Sequence, residues 1–235
     1  MADTAVAENL AKVLLLIETS VRAAGRKPAD VKLLAVTKTK PMNAVLDAFD
    51  AGQKLFGENY VQEAVEKIEQ LPQAEWHLIG PLQSNKVKQI AGKVALIHTI
   101  DREKLVHEIQ KSASAIGVVQ DVLIQVNIGD EESKSGVSVA DAPKLIESVL
   151  ALQNLRLRGV MALPPLSDDE VASRKNFAQV RECHRKWSEA HFSPEMKKHF
   201  DVLSMGTSSD FGWAIQEGAT LVRVGQMIFG ERLYN

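Results

Sequence analysis

The feature that most constrains this chain is a strict alternation of short apolar runs with helix-periodic stretches. Leu33–Val36, Lys54–Phe56, Trp76–Ile79, Ala95–His98, Val122–Ile128, Leu157–Met161, Val202–Met205 and Thr220–Val224 read as eight strands. Helical spacing recurs between them near 42–51, 60–70, 84–91, 102–115, 141–151, 168–191 and 210–217. One more helix precedes the first strand: Leu10, Val13, Leu14, Ile17 and Val21 recur at helical intervals until Gly25 and Pro28 stop the run. A strand, a helix and a further strand force parallel pairing, because the crossover returns the chain to the same end of the sheet. Eight such units within 235 residues match the size of a closed barrel. The expected fold is therefore α/β, a single (β/α)8 TIM barrel with an additional N-terminal helix, with residues 1–235 forming one domain. An open doubly wound sheet is the rival, but it usually has fewer strands. Only Ile228–Asn235 follows the last strand, so the N-terminal helix is expected to take the eighth place on the outer ring.

Composition narrows the function. The 28 basic and 30 acidic residues leave a net charge of −2, unlike the basic footprint of a dedicated nucleic-acid binder. No apolar run approaches the roughly 20 residues that span a bilayer. The acidic start, Met1 to Glu8, is not a secretory signal. A single cysteine, Cys183, excludes a disulfide scaffold and a cysteine-rich metal site. A soluble cytoplasmic protein acting away from nucleic acid and membrane is the expectation.

In this architecture chemistry sits on the loops that follow the strands. Lys38 lies just past Leu33–Val36, and residues 38 and 40 share a face if the chain stays extended. A neighbouring cation and desolvation both lower a lysine's pKa, and the neutral amine is what attacks a carbonyl. The alternative is a solvated surface charge. Ser204-Met205-Gly206-Thr207-Ser208-Ser209-Asp210 follows the seventh strand and Val224-Gly225-Gln226 the eighth. Those are the loops where barrels hold phosphate, with glycine and hydroxyls supplying donors; the alternative is a pair of ordinary helix caps. Arg223, inside the eighth strand, either meets a helix carboxylate outside or a ligand within the mouth.

Other features carry less. His107-Glu108 lacks the second histidine of a zinc helix, and no phosphate-loop, dinucleotide or nucleophile-elbow motif is present. His77 and His98, inside strands, read as satisfied core or rim groups. Asp130-Glu131-Glu132 reads as a solvated loop, and Cys183 as an inert helix residue.

Several blocks together resemble the pyridoxal phosphate homeostasis protein family. They are Leu34–Pro41, Phe56–Glu63, Trp76–Lys86, Ser133-Lys134-Ser135-Gly136, Arg158-Gly159-Val160-Met161-Ala162, Leu203–Gly206 and Ile228–Arg232. The resemblance implies a barrel like the N-terminal domain of alanine racemase that holds pyridoxal 5′-phosphate. Carried over, Lys38 would form the internal aldimine. Ser204, Gly206, Ser208 and the backbone around Gly225 would hold the phosphate. Arg223 would approach the pyridine nitrogen, and Asn59 and Met161 would line the ring. Where the family usually has Thr or Ser this chain has Gln226, and Thr207 stands where methionine is more usual, which lets its hydroxyl partly compensate.

An arginine beside the pyridine nitrogen disfavours its protonation and weakens the ring as an electron sink. Racemases of this shape add a second base, a C-terminal β domain and a partner subunit. The expectation is thus a monomeric, non-enzymatic carrier of pyridoxal phosphate that hands it to recipient apo-enzymes. The alternatives are an amino-acid racemase and an aldolase-like barrel whose lysine attacks a sugar phosphate directly.

Overall fold

The computed structural model describes residues 4–128, 135–165 and 167–231. In chain order its strands are β1 (Lys32–Val36), β2 (Leu55–Glu58), β3 (Glu75–Leu78), β4 (Leu96–Ile100), β5 (Gln120–Asn127), β6 (Val137–Ser138), β7 (Leu155–Ala162), β8 (Val202–Ser204) and β9 (Leu221–Val224). Eight of them close into a ring, β1-β2-β3-β4-β5-β7-β8-β9 and back to β1, with every pairing parallel. The (β/α)8 barrel expected from the alternation is the observed fold. The short strand β6 lies outside the ring, with Val137 beside Val126 of β5. Two residues carry no periodicity, and the run reading missed them. The Asp130-Glu131-Glu132 segment, Ser133-Lys134 and Arg232 lie outside the described residues.

The helices are α1 (Thr4–Ala23), α2 (Met42–Asp50), α3 (Val61–Gln70), α4 (Val87–Ile90), α5 (Glu103–Ala115), α6 (Ala142–Leu150), α7 (Glu170–His191), α8 (Pro194–Lys197), α9 (Phe211–Gln216) and α10 (Gln226–Phe229). The stretch 84–91 divides into a 3-10 turn over Ser84–Lys86 and the single turn α4. At the start of α7, the Asp169 carboxylate accepts the Val171 N–H at 2.9 Å and caps the helix. Helix α1 packs against α2, α9 and α10, which puts it in the place left open after β9. Its buried stripe is Val6, Leu10, Val13, Ile17 and Val21. Leu14 departs from the expected stripe and is 45% exposed, because it falls one residue round the helix from Val13.

The barrel has two apolar layers. Leu33 and Ala35 of β1 join the main core beneath the helices, while Leu34, between them, packs inside the ring with Leu55 and Leu221. Leu96, Leu123 and Met161 make a second interior cluster. With both faces covered, the strands read as continuous apolar runs rather than as alternation.

Gly159 of β7 sits where pairing with β5 shifts register between Val122 and Leu123. Its φ is 147°, and a Cβ there would lie 1.8 Å from the carbonyl oxygen of Val202. Glycine alone permits both the angle and the close approach of β8. Gly159→Ala is expected to lower the unfolding free energy by about 3 kcal/mol or more, read as a reduced urea midpoint.

Candidate functional site

The chain leaves β1 through a turn, not an extended segment. Lys40 N–H bonds the Thr37 carbonyl at 3.0 Å, and Thr39 adopts a φ of 61°. This corrects the expectation that Lys38 and Lys40 share one extended face. Lys38 lines a cavity of about 620 Å³ at the C-terminal end of the barrel. Lys40 reaches the same cavity, but its ammonium donates to the carbonyls of Phe229, Gly230 and Glu231 at 3.0, 3.0 and 2.7 Å. Its three protons tie the turn to the end of α10.

Behind the turn lies a buried ion cluster. The Lys67 ammonium on α3 meets Glu58 Oε1 at 2.5 Å, the Thr37 carbonyl at 2.7 Å and Glu63 Oε2 at 3.3 Å. Thr37 Oγ1 donates to Glu58 Oε1 at 2.6 Å, and Thr39 N–H donates to Glu63 Oε2 at 2.8 Å. Burial pushes the Glu58 carboxyl upward against the pull of Lys67 and Thr37.

Arg223 points inward from β9, 4% exposed, and lines the cavity. Of the two placements open from sequence, the inner one is observed. Its guanidinium donates to Ser204 Oγ at 2.7 Å and to the Ala162 carbonyl at 3.0 Å. Desolvation pushes its pKa down to about 10, opposed by Asp210; it remains a cation at neutral pH.

Ser204 begins a string of polar groups through the barrel. Its Oγ lies 3.1 Å from His98 Nδ1, His98 Nε2 lies 3.0 Å from His77 Nδ1, and His77 Nε2 lies 3.2 Å from Glu75 Oε1. Arginine only donates and a carboxylate only accepts, so with neutral imidazoles the string runs one way. Ser204 O–H donates to His98 Nδ1, His98 Nε2–H to His77, and His77 Nε2–H to Glu75. The two histidines are satisfied core groups, as expected. Burial holds His77 below the usual imidazole range and His98 well below it, and the bond from His77 holds Glu75 low.

Two of the expected ligand contacts are wholly buried. Ser204, the last residue of β8, is fully buried against Arg223 and is not among the residues lining the cavity. Met161, near the end of β7, is buried among Leu96 and Leu123. Asn59, Thr207, Ser208 and Gly225 do line the cavity, with Ser209, Gln226 and Glu231. Gly206 turns the loop after β8 with a φ of 89°. The N–H and hydroxyl of Thr207 both donate to Asp210 Oδ1, at 2.6 and 3.1 Å. The compensating donor expected of Thr207 is therefore already engaged, and Gln226 itself faces the cavity.

Two further features mark the cavity wall. Asn59 Oδ1 is buried and has no hydrogen-bond partner among the described residues. A Cβ on Gly225 would lie 2.9 Å from the Val36 carbonyl oxygen, so only a bare backbone fits against β1 there. Cys183 is half-buried on α7, and burial pushes its thiol up, in line with an inert residue. Among the described residues no His/Cys/Asp/Glu group could hold a metal ion, and no helix is long and apolar enough to cross a membrane.

A second cavity, of about 460 Å³, opens at the N-terminal end of the barrel and includes Arg26, Lys32, Glu75, His77 and Asp121. Asp121 bridges Arg156 and Arg158 at 2.6 and 2.8 Å, and Arg158 continues to Asp201 at 2.9 Å. This ion-paired floor is the stability end of such a fold.

Sequence reading did not single out Glu58, Glu63 and Lys67. The pairing of Glu63 with Lys67 at i,i+4 is a surface pattern on most helices; only the packing of α3 on β2 buries it.

The family model described as alanine racemase, N-terminal domain, matches residues 17–233 and defines the class of barrel. A pyridoxal phosphate homeostasis protein from Aquifex aeolicus is 43% identical over 97% of this chain and 98% of its own length. Among solved structures, an unknown protein from Bifidobacterium adolescentis superposes with a TM-score of 0.91 at 32% identity, covering 97% of each chain. PipY of Synechococcus elongatus, solved with PLP bound, gives a TM-score of 0.79 at 32% identity over 96% of this chain and 100% of its own. The chain belongs to the pyridoxal phosphate homeostasis protein family, within the alanine racemase N-terminal domain class.

The buried imidazoles set an acid limit. His184, stacked on Phe200 at 4.5 Å, is lowered to about 4 by burial, and His77 and His98 move the same way. Below about pH 6.5 the unfolded chain takes up protons that the native imidazoles refuse, so stability falls as pH drops toward 4. His184 alone accounts for about 3 kcal/mol across that window. Thermal melts at stepped pH are expected to show the loss beginning near pH 6.5, and His184→Phe to reduce it.

Proposed function

We propose that this chain binds pyridoxal 5′-phosphate in the upper cavity, holds it on Lys38 as a Schiff base, and serves vitamin B6 homeostasis by keeping and releasing it without efficient turnover. Residues 1–235 act as one binding unit in this reading. The observation that carries it is the meeting of Lys38 and Arg223, from the neighbouring strands β1 and β9, in one cavity walled by the loops after β8 and β9. Family membership and the PLP-bound relative support it.

The cofactor supplies an aldehyde that condenses with a primary amine, and a pyridine ring that withdraws electrons when its nitrogen is protonated. Lys38 provides the amine. Ser208, Ser209, Gln226 and the bare backbone at Gly225 line the wall suited to the phosphate. Asn59 offers its unfilled hydrogen-bond position. Arg223 presents a buried cation whose charge opposes protonation of a nearby ring nitrogen, and Ser204 and the Ala162 carbonyl hold it in place.

That arrangement favours binding over carbanion chemistry. Among the described residues lining the cavity, the proton-bearing side chains are two lysines, Arg223 and Glu231, with no His, Cys or Tyr opposite Lys38. Lys40 has its protons committed to three carbonyls. A racemase needs a second base across the ring; among the described lining residues the one carboxylate is Glu231, which is solvent-exposed.

The purified protein is expected to show a visible imine band that borohydride abolishes, and Lys38→Ala to lose it. Arg223→Gln is expected to keep the band with at least about tenfold weaker retention, since one buried charged hydrogen bond is worth roughly 1.5–3 kcal/mol. An unchanged band in Lys38→Ala overturns the lysine assignment. Rapid, Lys38-dependent deuterium exchange at an amino acid's α-carbon overturns the non-turnover reading, and failure to load an acceptor apo-enzyme overturns the carrier role.

A further inference from the structure

We infer that Glu63 and Lys67 are positioning residues for Lys38, holding Thr39 in a strained backbone conformation that turns the preceding lysine toward the cavity. The inference deepens the proposed function and rests on its assignment of Lys38 as the cofactor lysine. Thr39 has the only positive φ of a non-glycine residue among the described residues, 61°. A β-branched side chain in the left-handed region meets the following carbonyl, and the conformation is disfavoured by roughly tenfold over the right-handed one. Such strain persists only where its surroundings over-determine it.

The surroundings do so here, at three atoms that flank Lys38. Glu63 Oε2 accepts the Thr39 N–H at 2.8 Å on one side. On the other, the Thr37 carbonyl accepts a hydrogen bond from the Lys67 ammonium at 2.7 Å and the Thr37 hydroxyl donates to Glu58 at 2.6 Å. Lys67, 6% exposed, spends its remaining protons on Glu58 and Glu63, so the carboxylate that grips Thr39 is itself held from α3. Both neighbours of Lys38 are fixed to one buried ammonium. The lysine inherits its direction from them.

A cluster that merely joins α3 to β2 would give the same contacts, and a double-mutant cycle separates the two roles. Thr39→Gly removes the strain, because glycine enters the left-handed region freely. If Glu63 acts by holding the strained turn, E63Q matters with threonine at 39 and ceases to matter in T39G. If it only ties helix to strand, its effect is the same in both backgrounds.

Two readouts are taken on the full-length chain: the labelling rate of Lys38 by an amine-acylating reagent in cofactor-free protein, followed by mass spectrometry, and the dissociation constant of pyridoxal 5′-phosphate from the imine band. The expected result is a change of at least threefold in both for E63Q, reduced below about 1.5-fold when T39G is already present. Equal changes in the two backgrounds, or none in either, overturn the inference. Should E63Q melt below the assay temperature, E63D replaces it under the same criterion. An imine band retained in K38A would refute the lysine assignment instead, and the cofactor-free labelling arm still decides whether Glu63 positions residue 38.

Discussion

Closing eight parallel strands leaves alternate side chains pointing into an interior that has no bulk water and no partners except one another. Every polar group placed there must be answered by its neighbours. Leu34, Leu55, Leu96, Leu123, Met161 and Leu221 fill most of that space. His77, His98, Ser204 and Arg223 lie among them, and they answer each other in a single line from the floor to the mouth. The line has a direction because its ends are chemically unlike: a guanidinium at the top can only give hydrogen bonds, and a carboxylate at the bottom can only take them.

The same economy governs the charges around the cavity. Lys67 and Lys40 each commit an ammonium to three oxygens, one beneath the turn after β1 and one at the end of α10. Arg223 is held by uncharged oxygens in addition to the more distant field of Asp210, and burial lowers its pKa accordingly. A cation kept by neutral acceptors retains a field that a paired one would have spent on its counter-ion. In the proposed site that field falls where a pyridine nitrogen would need a proton to become an electron sink, which joins the packing of the barrel to the absence of turnover in the carrier reading.

Much of this was legible in the chain. The alternation of runs such as Leu33–Val36 with helix-periodic stretches follows from strands covered on both faces, and it located all eight barrel strands to within a few residues. The barrel rule then directed attention to strand ends, where Lys38, Asn59, Ser208 and Gly225 do meet in one cavity. That Ser204 and Met161 are wholly buried, Ser204 against Arg223 and Met161 among Leu96 and Leu123, was not legible, since motif position tells that a residue is inward but not how deep the closed ring sets it. The supposed lysine pair failed because an extended face was assumed where Thr39 reverses the backbone. Glu58 and Lys67 passed unnoticed because a charged residue in a strand or on a helix shows no sign of burial until the opposing element is placed.

Local chemistry and periodicity therefore sufficed for the architecture and the end of the barrel to inspect, and singled out Lys38 and Arg223 as candidates there, because these depend on patterns written over a few neighbouring residues. Tertiary structure alone decided which way Arg223 faces, which hydroxyls are spent inside the protein, and which charged groups stand behind the turn. Those outcomes depend on contacts such as Lys67–Glu58 and Ser204–His98, 9 and 106 positions apart in the chain, whose mutual distances exist only once the ring has closed.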